Sequence, residues 1–375
     1  MKGQIRKRGN TYSVIVPLGK NASGKKRYKW VTCRTKREAE AKRAELVHQA
    51  NTGVLTSPKG TVGEFIERWL NDYGKQHLSP TTLQGYQSIY RSGIAPSLSK
   101  IQLKALRPEH IQKYYADKLA GGISSTTVNH HAMVLHKILE TAVKWQILPR
   151  NVADSVSPPR IRQVEMRTLT EEQVVLVLAE AERTPYCALF SLALLTGMRQ
   201  SELLALRWLD IDFAKAELSV SRAMHRMKTG EFIFRGTKTL RSNRSLELSP
   251  GTCAILRRHL DSEIDLCRQL GVPFPNDRLV FCQSVGKPLK PGTVRQSWKR
   301  LTGRLGIENI NFHALRHTHA TLLLRAGISP KVISERLGHA NITTTLNIYA
   351  HVTPGMQRQA VEALDRILEK RIAEE

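Results

Sequence analysis

TGMRQSELLALRW (196–208) closes an apolar run on an arginine, and three more short segments follow it: HALRHT (313–318), LGHANI (337–342) and LNIYAH (346–351). Between them they carry Arg199, His313, Arg316, His339 and Tyr349. Two guanidiniums can grip the non-bridging oxygens of a phosphate with paired hydrogen bonds and offset charge developing on phosphorus. Histidines move protons or donate hydrogen bonds near neutral pH. A tyrosine hydroxyl becomes a covalent nucleophile once its proton is removed. The set suits attack on a phosphodiester without a metal.

Each residue alone admits a plainer reading. Arg199 and Glu202 are spaced for an ion pair, which at a surface contributes little and in a site orients the guanidinium. His313 and Arg316 share one face of a predicted helix. His317 and His319 read as packing or supporting groups. H-x-x-R-H is no metal pattern, because the arginine repels an ion and no carboxylate is near. A tyrosine such as Tyr349 is commonly a packing residue, and with an ordinary pKa of about 10 it needs a base and positive surroundings to react. Gly338 allows a tight bend before His339. SPKVISERLGHANITTTLNIYA (329–350) also reads as a helix-turn-helix with its turn at Gly338–Ala340. That reading leaves Arg199, His313 and Arg316 unexplained.

In order and spacing the four segments closely resemble the tyrosine recombinase (phage integrase) family. The family pattern is an arginine after T-G-M or T-G-L, then H-x-x-R, then L-G-H, then a tyrosine shortly before the C-terminus. His313 and Arg316 match H-x-x-R, and Tyr349 follows His339 by ten positions. The resemblance extends over nearly the whole chain. It implies a site-specific DNA strand-exchange enzyme working through a 3′-phosphotyrosine. Tyr349 would be the nucleophile, Arg199 and Arg316 the phosphate holders with His339 assisting, and His313 the base, with Glu202 in support. The resemblance also puts a general-acid lysine on a hairpin after the first arginine segment. Lys238 in RGTKTLRSNRSLEL (235–248) fits, with Lys228 and Arg241 as competitors and a simple phosphate contact as the other role. No cofactor or metal is expected: no Walker A loop or acidic cluster stands in the sequence.

Bulk properties agree. A chain of 375 residues holds two or three domains, and 41% hydrophobic residues suffice for ordinary cores. Net charge is +26 and the pI near 10.2, so a polyanion, most often nucleic acid, is the expected partner. Five widely spaced cysteines with no C-x-x-C fit a reducing compartment. The polar start carries no secretory signal, and the apolar run Ala188–Leu195 is too short to span a bilayer. A bacterial cytoplasmic, nucleoid-associated protein is expected.

Along the chain, residues 1–57 carry a net charge of +11. TYSVIVPLG (11–19) and KRYKWVTC (26–33) read as strands and 36–51 as a helix, a basic ribbon able to enter a DNA major groove. It looks like an integrase arm-binding domain; the alternative is a ribbon that adds only nonspecific affinity. Residues 61–155 show four helical apolar patterns with Thr61, Ser79 and Ser124 as N-caps, an all-α domain resembling the family's core-binding domain. Proline-bearing 149–167 reads as an extended linker. Residues 168–375 read as a mostly helical catalytic domain with a small antiparallel sheet, starting from a helix capped near Thr170. The fold class is thus multidomain, mainly α with small antiparallel sheets.

By resemblance, a C-terminal helix (357–375) packs on a neighbouring protomer and the assembly is a homotetramer on paired sites; packing on its own domain is the other reading. Expected partners are duplex DNA at core and arm-type sites, with a directionality factor or a host DNA-bending protein. Two other functions remain in view: a type IB topoisomerase-like enzyme, and a non-catalytic DNA-binding regulator.

Overall fold

The computed structural model describes residues 3–20, 26–51, 60–161, 167–227, 229–236, 243–275, 277–283, 286–339, 341–343 and 345–346. The chain divides into two compact units, Met1–Gln163 and Val164–Glu375.

The first unit opens with an antiparallel sheet of β1 (Gln4–Arg8), β2 (Thr11–Lys20) and β3 (Lys26–Cys33), followed by α1 (Lys36–Asn51). Ile5, Val14 and Val31 fall in one cross-strand row, and Val14, Val16 and Cys33 pack with Ala39 and Leu46 of α1. Strand β1 was not expected from the sequence. Its QIRKR shows one apolar residue, Ile5, because pairing with β2 supplies most of what makes it a strand. The other face presents Arg6, Ser13 and Thr32 in a row, and the Arg8 guanidinium lies 5.6 Å from the Trp30 ring centroid.

A separate helical core follows. It is built from α2 (Val62–Trp69), α3 (Lys75–His77), α4 (Pro80–Ser88), α5 (Ala95–Leu98), α6 (Pro108–Ala120) and α7 (Ser125–Lys144). Wider π-type turns, Leu70–Gly74 and Ile89–Ile94, join α2 to α3 and α4 to α5, so the chain makes four helical runs. Thr61, Ser79 and Ser124 each accept a backbone N–H from the third residue on. Glu64 answers Thr61 by accepting its N–H at 2.9 Å. Phe65, Trp69, Ile94, Ile111, Leu135 and Ile138 fill the core.

The first part of the linker expected at 149–167 packs with the helical core instead. Ala153 and Val156 join the helical core, and buried Asn151 accepts from the Ala153 N–H while donating to the His136 carbonyl. His136 Nε2 lies 2.8 Å from Asp154 Oδ1. The segment looks like loop because its anchors are small apolar groups and one asparagine, which leave no periodic signal.

The second unit carries α8 (Glu171–Ala181), α9 (Cys187–Thr196), α10 (Gln200–Leu203), β4 (Ile211–Asp212), β5 (Glu217–Val220), β6 (Arg222–Arg226), β7 (Phe232–Gly236) and β8 (Arg244–Glu247). α11 (Pro250–Leu270), α12 (Pro291–Arg304), α13 (Ala314–Arg325) and α14 (Pro330–Leu337) complete the described elements. The one small sheet expected is two: β4–β5–β8, and the pair β6–β7. Ser221 alone separates β5 from β6, where Arg222 Nε turns to donate to the Ala205 carbonyl at 2.8 Å. Helix α9 is apolar on all sides and buried along almost its whole length, so it becomes the axis around which α8, α11 and α13 pack. Among the described residues no helix is long and apolar enough to cross a membrane.

Phe190 of α9, Trp298 of α12 and Phe312 form an aromatic cluster with centroids 5.4–6.1 Å apart, and Trp298 Nε1 donates to the Ile310 carbonyl. Trp298→Ala removes a wholly buried ring and should destabilise the second unit by about 3–5 kcal/mol. Denaturant unfolding of the full chain should show that unit's transition at lower midpoint, with the first unit's transition unmoved.

Candidate active site

The site forms where two helices end. At the C-terminus of α9, Gly197 adopts a left-handed conformation (φ +65°) and turns the chain into Met198 and Arg199. A Cβ on Gly197 would lie 2.5 Å from Leu337 Cδ2 and 2.8 Å from His319 Cδ2, so the glycine of T-G-M is required by both conformation and space. At the C-terminus of α14, Gly338 is also left-handed (φ +64°), and the His339 N–H closes the helix on the Ser334 carbonyl.

Carbonyls left over at these ends are taken up by arginines. Arg316, inside α13, donates from Nη1 to the Gly197 carbonyl at 2.8 Å and from Nη2 to the Leu337 carbonyl at 2.7 Å. Arg199 Nη2 donates to the Gly338 carbonyl at 2.9 Å. Arg244 Nε donates to the Arg336 carbonyl at 2.7 Å. Helix C-termini carry partial negative charge and unpaired carbonyls, so they draw cations.

One buried carboxylate joins the group. Glu202 of α10 reaches back to accept the Arg199 N–H at 2.9 Å and its Nη1 at 2.7 Å. On the other side it accepts Arg244 Nη2 at 2.9 Å. Burial alone would raise the Glu202 carboxyl, but the hydrogen bond and charge of Arg244, joined by those of Arg199, outweigh it and hold the group below its usual range. Two guanidiniums thus bracket one carboxylate, and Arg316 lies near enough to feel its charge. Among the described residues no carboxylate contacts Arg316, and burial followed by the charge of Arg199 lowers it to about 9.

The histidines are kept neutral. His339 Nδ1 is 2.7 Å from the Thr345 hydroxyl, and burial with the charges of Arg316 and Arg199 lowers it to about 4. With Thr345 as donor, the ring proton sits on Nε2, free to be donated elsewhere. His313 caps α13 and stands open to solvent on one side, packed edge-on against His317 at 4.8 Å on the other. Its packed side and the guanidiniums of Arg316 and Arg199 lower its pKa, which suits a proton acceptor. His317, half-buried with an Nδ1 that has no partner, is lowered to about 4 by burial and by His313. His319 is on the inner face of α13: its Nδ1 donates to the Leu194 carbonyl and its Nε2 accepts from Arg336 Nε. Burial and Arg336 hold it at about 4.

The fold therefore brings Arg199, Glu202, Arg316 and His339 together, with His313 close enough to feel both guanidiniums. Lys238 and Tyr349, with the competitors Lys228 and Arg241, lie outside the described residues. Arg244 was not singled out by the sequence. Its signal is faint: in RSLEL it falls in step with Leu246 and Leu248, both buried, so its side chain points inward.

Comparison with known proteins then decides the family. Residues 167–356 match the family model described as Phage integrase family, and 61–119 match the Phage integrase, N-terminal SAM-like domain. A protein named tyrosine recombinase XerC-like, from Caldanaerobacter subterraneus subsp. tengcongensis, is 31% identical over 94% of this chain and 95% of its own length. The chain belongs to the phage integrase family. It is a DNA strand-transfer enzyme of the tyrosine recombinase type. The ICEBs1 integrase of Bacillus subtilis is 27% identical over 77% of this chain and 78% of its own length. Among solved structures, the Tn1549 transposon integrase in complex with a circular intermediate DNA shares the fold with TM-score 0.71 and 23% identity, over 82% of this chain and all of that one. A lambda integrase dimer bound to a core site gives TM-score 0.58 and 21% identity, over 92% of this chain and 94% of that one. The helix-turn-helix reading of 329–350 loses its ground, because the α14 terminus is built into the arginine cluster.

The recombinase's neutral histidines set an acid limit on its stability. Unfolded, each takes up a proton near pH 6.5; folded, His317, His319 and His339 refuse it until about 4. Their contribution is complete above pH 6.5 and lost as pH falls towards 4. The apparent Tm of the second unit should therefore drop between pH 6.5 and 4.5, where Glu202 still keeps its charge. In His319→Gln the drop should be shallower, although Tm at pH 7.5 is lower.

Proposed function

We propose that this chain is the integrase of a phage or integrative mobile element, and that it exchanges DNA strands through Tyr349. The observation that carries the proposal is that Arg199 and Arg244 share the single carboxylate Glu202 while nearby Arg316 contacts none among the described residues, which leaves the cluster, open to solvent at Arg199, in want of an anion. A phosphodiester supplies that anion. The resemblance of the ICEBs1 integrase, over 77% of this chain, favours the mobile-element role.

Arg199 and Arg316 hold the non-bridging oxygens of the scissile phosphate, and His339 donates from Nε2 to one of them. The Tyr349 oxygen attacks phosphorus while His313, neutral before the reaction, takes its proton. The bond from phosphorus to the 5′ oxygen breaks, and Lys238 gives that oxygen a proton. The product is a 3′-phosphotyrosine with a free 5′-hydroxyl. A 5′-hydroxyl from a partner duplex then attacks the phosphotyrosine, Tyr349 leaves as a phenol, and every proton returns to its donor. Bonds broken and formed are of one type, so no external energy source is needed.

The remaining parts of the reading follow the same family. The three domains are a basic ribbon at 1–57 for arm-type sites, the helical block 61–155 for the core site, and the catalytic domain 168–375. The protein works as a homotetramer on paired sites in the bacterial cytoplasm, on nucleoid DNA, with a directionality factor or a host DNA-bending protein. The net charge of the first 57 residues, +11, supports a DNA role for the ribbon. A lambda integrase tetramer bound to a Holliday junction, similar in fold, supports the assembly.

The decisive experiment traps the covalent complex on a nicked duplex from the ends of the element. Wild type should give a protein–DNA band that survives detergent, and Tyr349→Phe should give none while binding DNA as tightly. Joining of the trapped strand to a second duplex selects recombination over nicking and closing. Lys238→Ala should cleave roughly 100-fold slower on ordinary DNA. It should regain most of that rate when the 5′ bridging oxygen is sulfur, whose thiolate leaves without a proton. An equal defect on both substrates would remove Lys238 from the general-acid role.

A further inference from the structure

We infer that Arg244 is a positioning residue for strand transfer: it fixes the Glu202 carboxylate, and through it the Arg199 guanidinium, in the orientation that meets the scissile phosphate. The inference rests on the reading of Arg199 as a phosphate holder.

Arg244 is sealed from solvent, with its side chain 6% exposed, and Glu202 is 3% exposed, whereas Arg199 is 36% exposed. Arg199 is open to an arriving phosphate, whereas Arg244 directs Nε to the Arg336 carbonyl and Nη2 to the carboxylate. Glu202 Oε1 takes Arg199 Nη1, and Oε2 takes both the Arg199 N–H and Arg244 Nη2. Without Arg244, the carboxylate would be held from one side only and could swing with Arg199. With it, the plane of the carboxylate is fixed from both sides, and so is the fork that hydrogen-bonds to it.

Two further contacts tie this clamp to the fold. Arg244 Nε donates to the Arg336 carbonyl in the last turn of α14, and Arg199 Nη2 donates to the Gly338 carbonyl just beyond it. One guanidinium thereby joins β8, α10 and α14. Gly338 makes room for it: a Cβ there would lie 2.9 Å from Arg244 Nη1. Stability alone does not call for such an arrangement, because an apolar side chain of similar volume often serves a buried site as well as an ion pair does. What the arginine adds is orientation.

The test is single-turnover cleavage of a nicked duplex by the full chain at saturating DNA, with DNA affinity and Tm measured beside it. Arg244→Ala should cleave about 10–100-fold slower, while its Kd for DNA stays within about threefold of wild type. A lysine at 199 offers a point charge rather than an oriented fork, so Arg199→Lys should gain little from the clamp. Adding Arg244→Ala to Arg199→Lys should then slow cleavage by no more than about threefold further. Should Arg244→Ala fail to fold, Arg244→Lys carries the same cycle. It keeps the charge but cannot span the carboxylate and the Arg336 carbonyl together, and about a tenfold loss is expected. A wild-type cleavage rate in a folded Arg244 variant overturns the inference. So does a loss confined to Kd, or a full multiplicative loss in the double variant. If wild type itself forms no covalent complex, the strand-transfer reading fails and the inference falls with it.

Discussion

The Glu202 carboxylate, buried between Arg199 and Arg244, is the contact on which the rest of the site depends. A lone carboxylate at that depth would be strongly disfavoured, and so would the buried Arg244 guanidinium without it. Together they satisfy one another and leave an excess of positive charge, because Arg316 joins with no carboxylate of its own among the described residues. The excess cannot be relieved by water at Arg316, which is almost wholly buried. On the proposed reading, a phosphate arriving from solvent at Arg199 relieves it.

The same hydrogen bonds serve the fold and the chemistry. Helices α9 and α14 both end in left-handed glycines, and their last carbonyls point at one small volume. In many proteins such carbonyls are satisfied by water or by a turn. Here the guanidiniums of Arg199, Arg244 and Arg316 satisfy them. Loosening a helix end would therefore release an arginine, and removing an arginine would uncap a helix. This coupling limits how far the three guanidiniums can drift.

Histidine chemistry divides along α13. His319 faces inward, with both ring nitrogens engaged by Leu194 and Arg336, and works as a neutral packing group. His313 sits at the helix start, open on one side, and its packed side with the nearby guanidiniums lowers its pKa. The contrast comes from helical position, since six residues along the chain turn a side chain from the site into the core. His317 lies between them, braced against His313 with an unpartnered Nδ1.

The sequence by itself determined the family and the helices with their N-caps, and it singled out Arg199, Glu202, Arg316 and His339, which the fold brings together. T-G-M-R, H-x-x-R and L-G-H are short, local and dense in chemistry, and the caps Thr61, Ser79, Ser124 and Thr170 act within one helical turn. What it left out depends on partners far along the chain. β1 is a strand because β2 pairs with it, and the 149–156 segment packs because α7 offers Asn151 a carbonyl. Arg244 lies 42 residues from Glu202 and 92 from Arg336, and nothing local marks it beyond its phase with two buried leucines. Only the tertiary structure brings those carbonyls and that carboxylate to one point, because hydrogen bonds between distant segments leave no periodic trace in the chain.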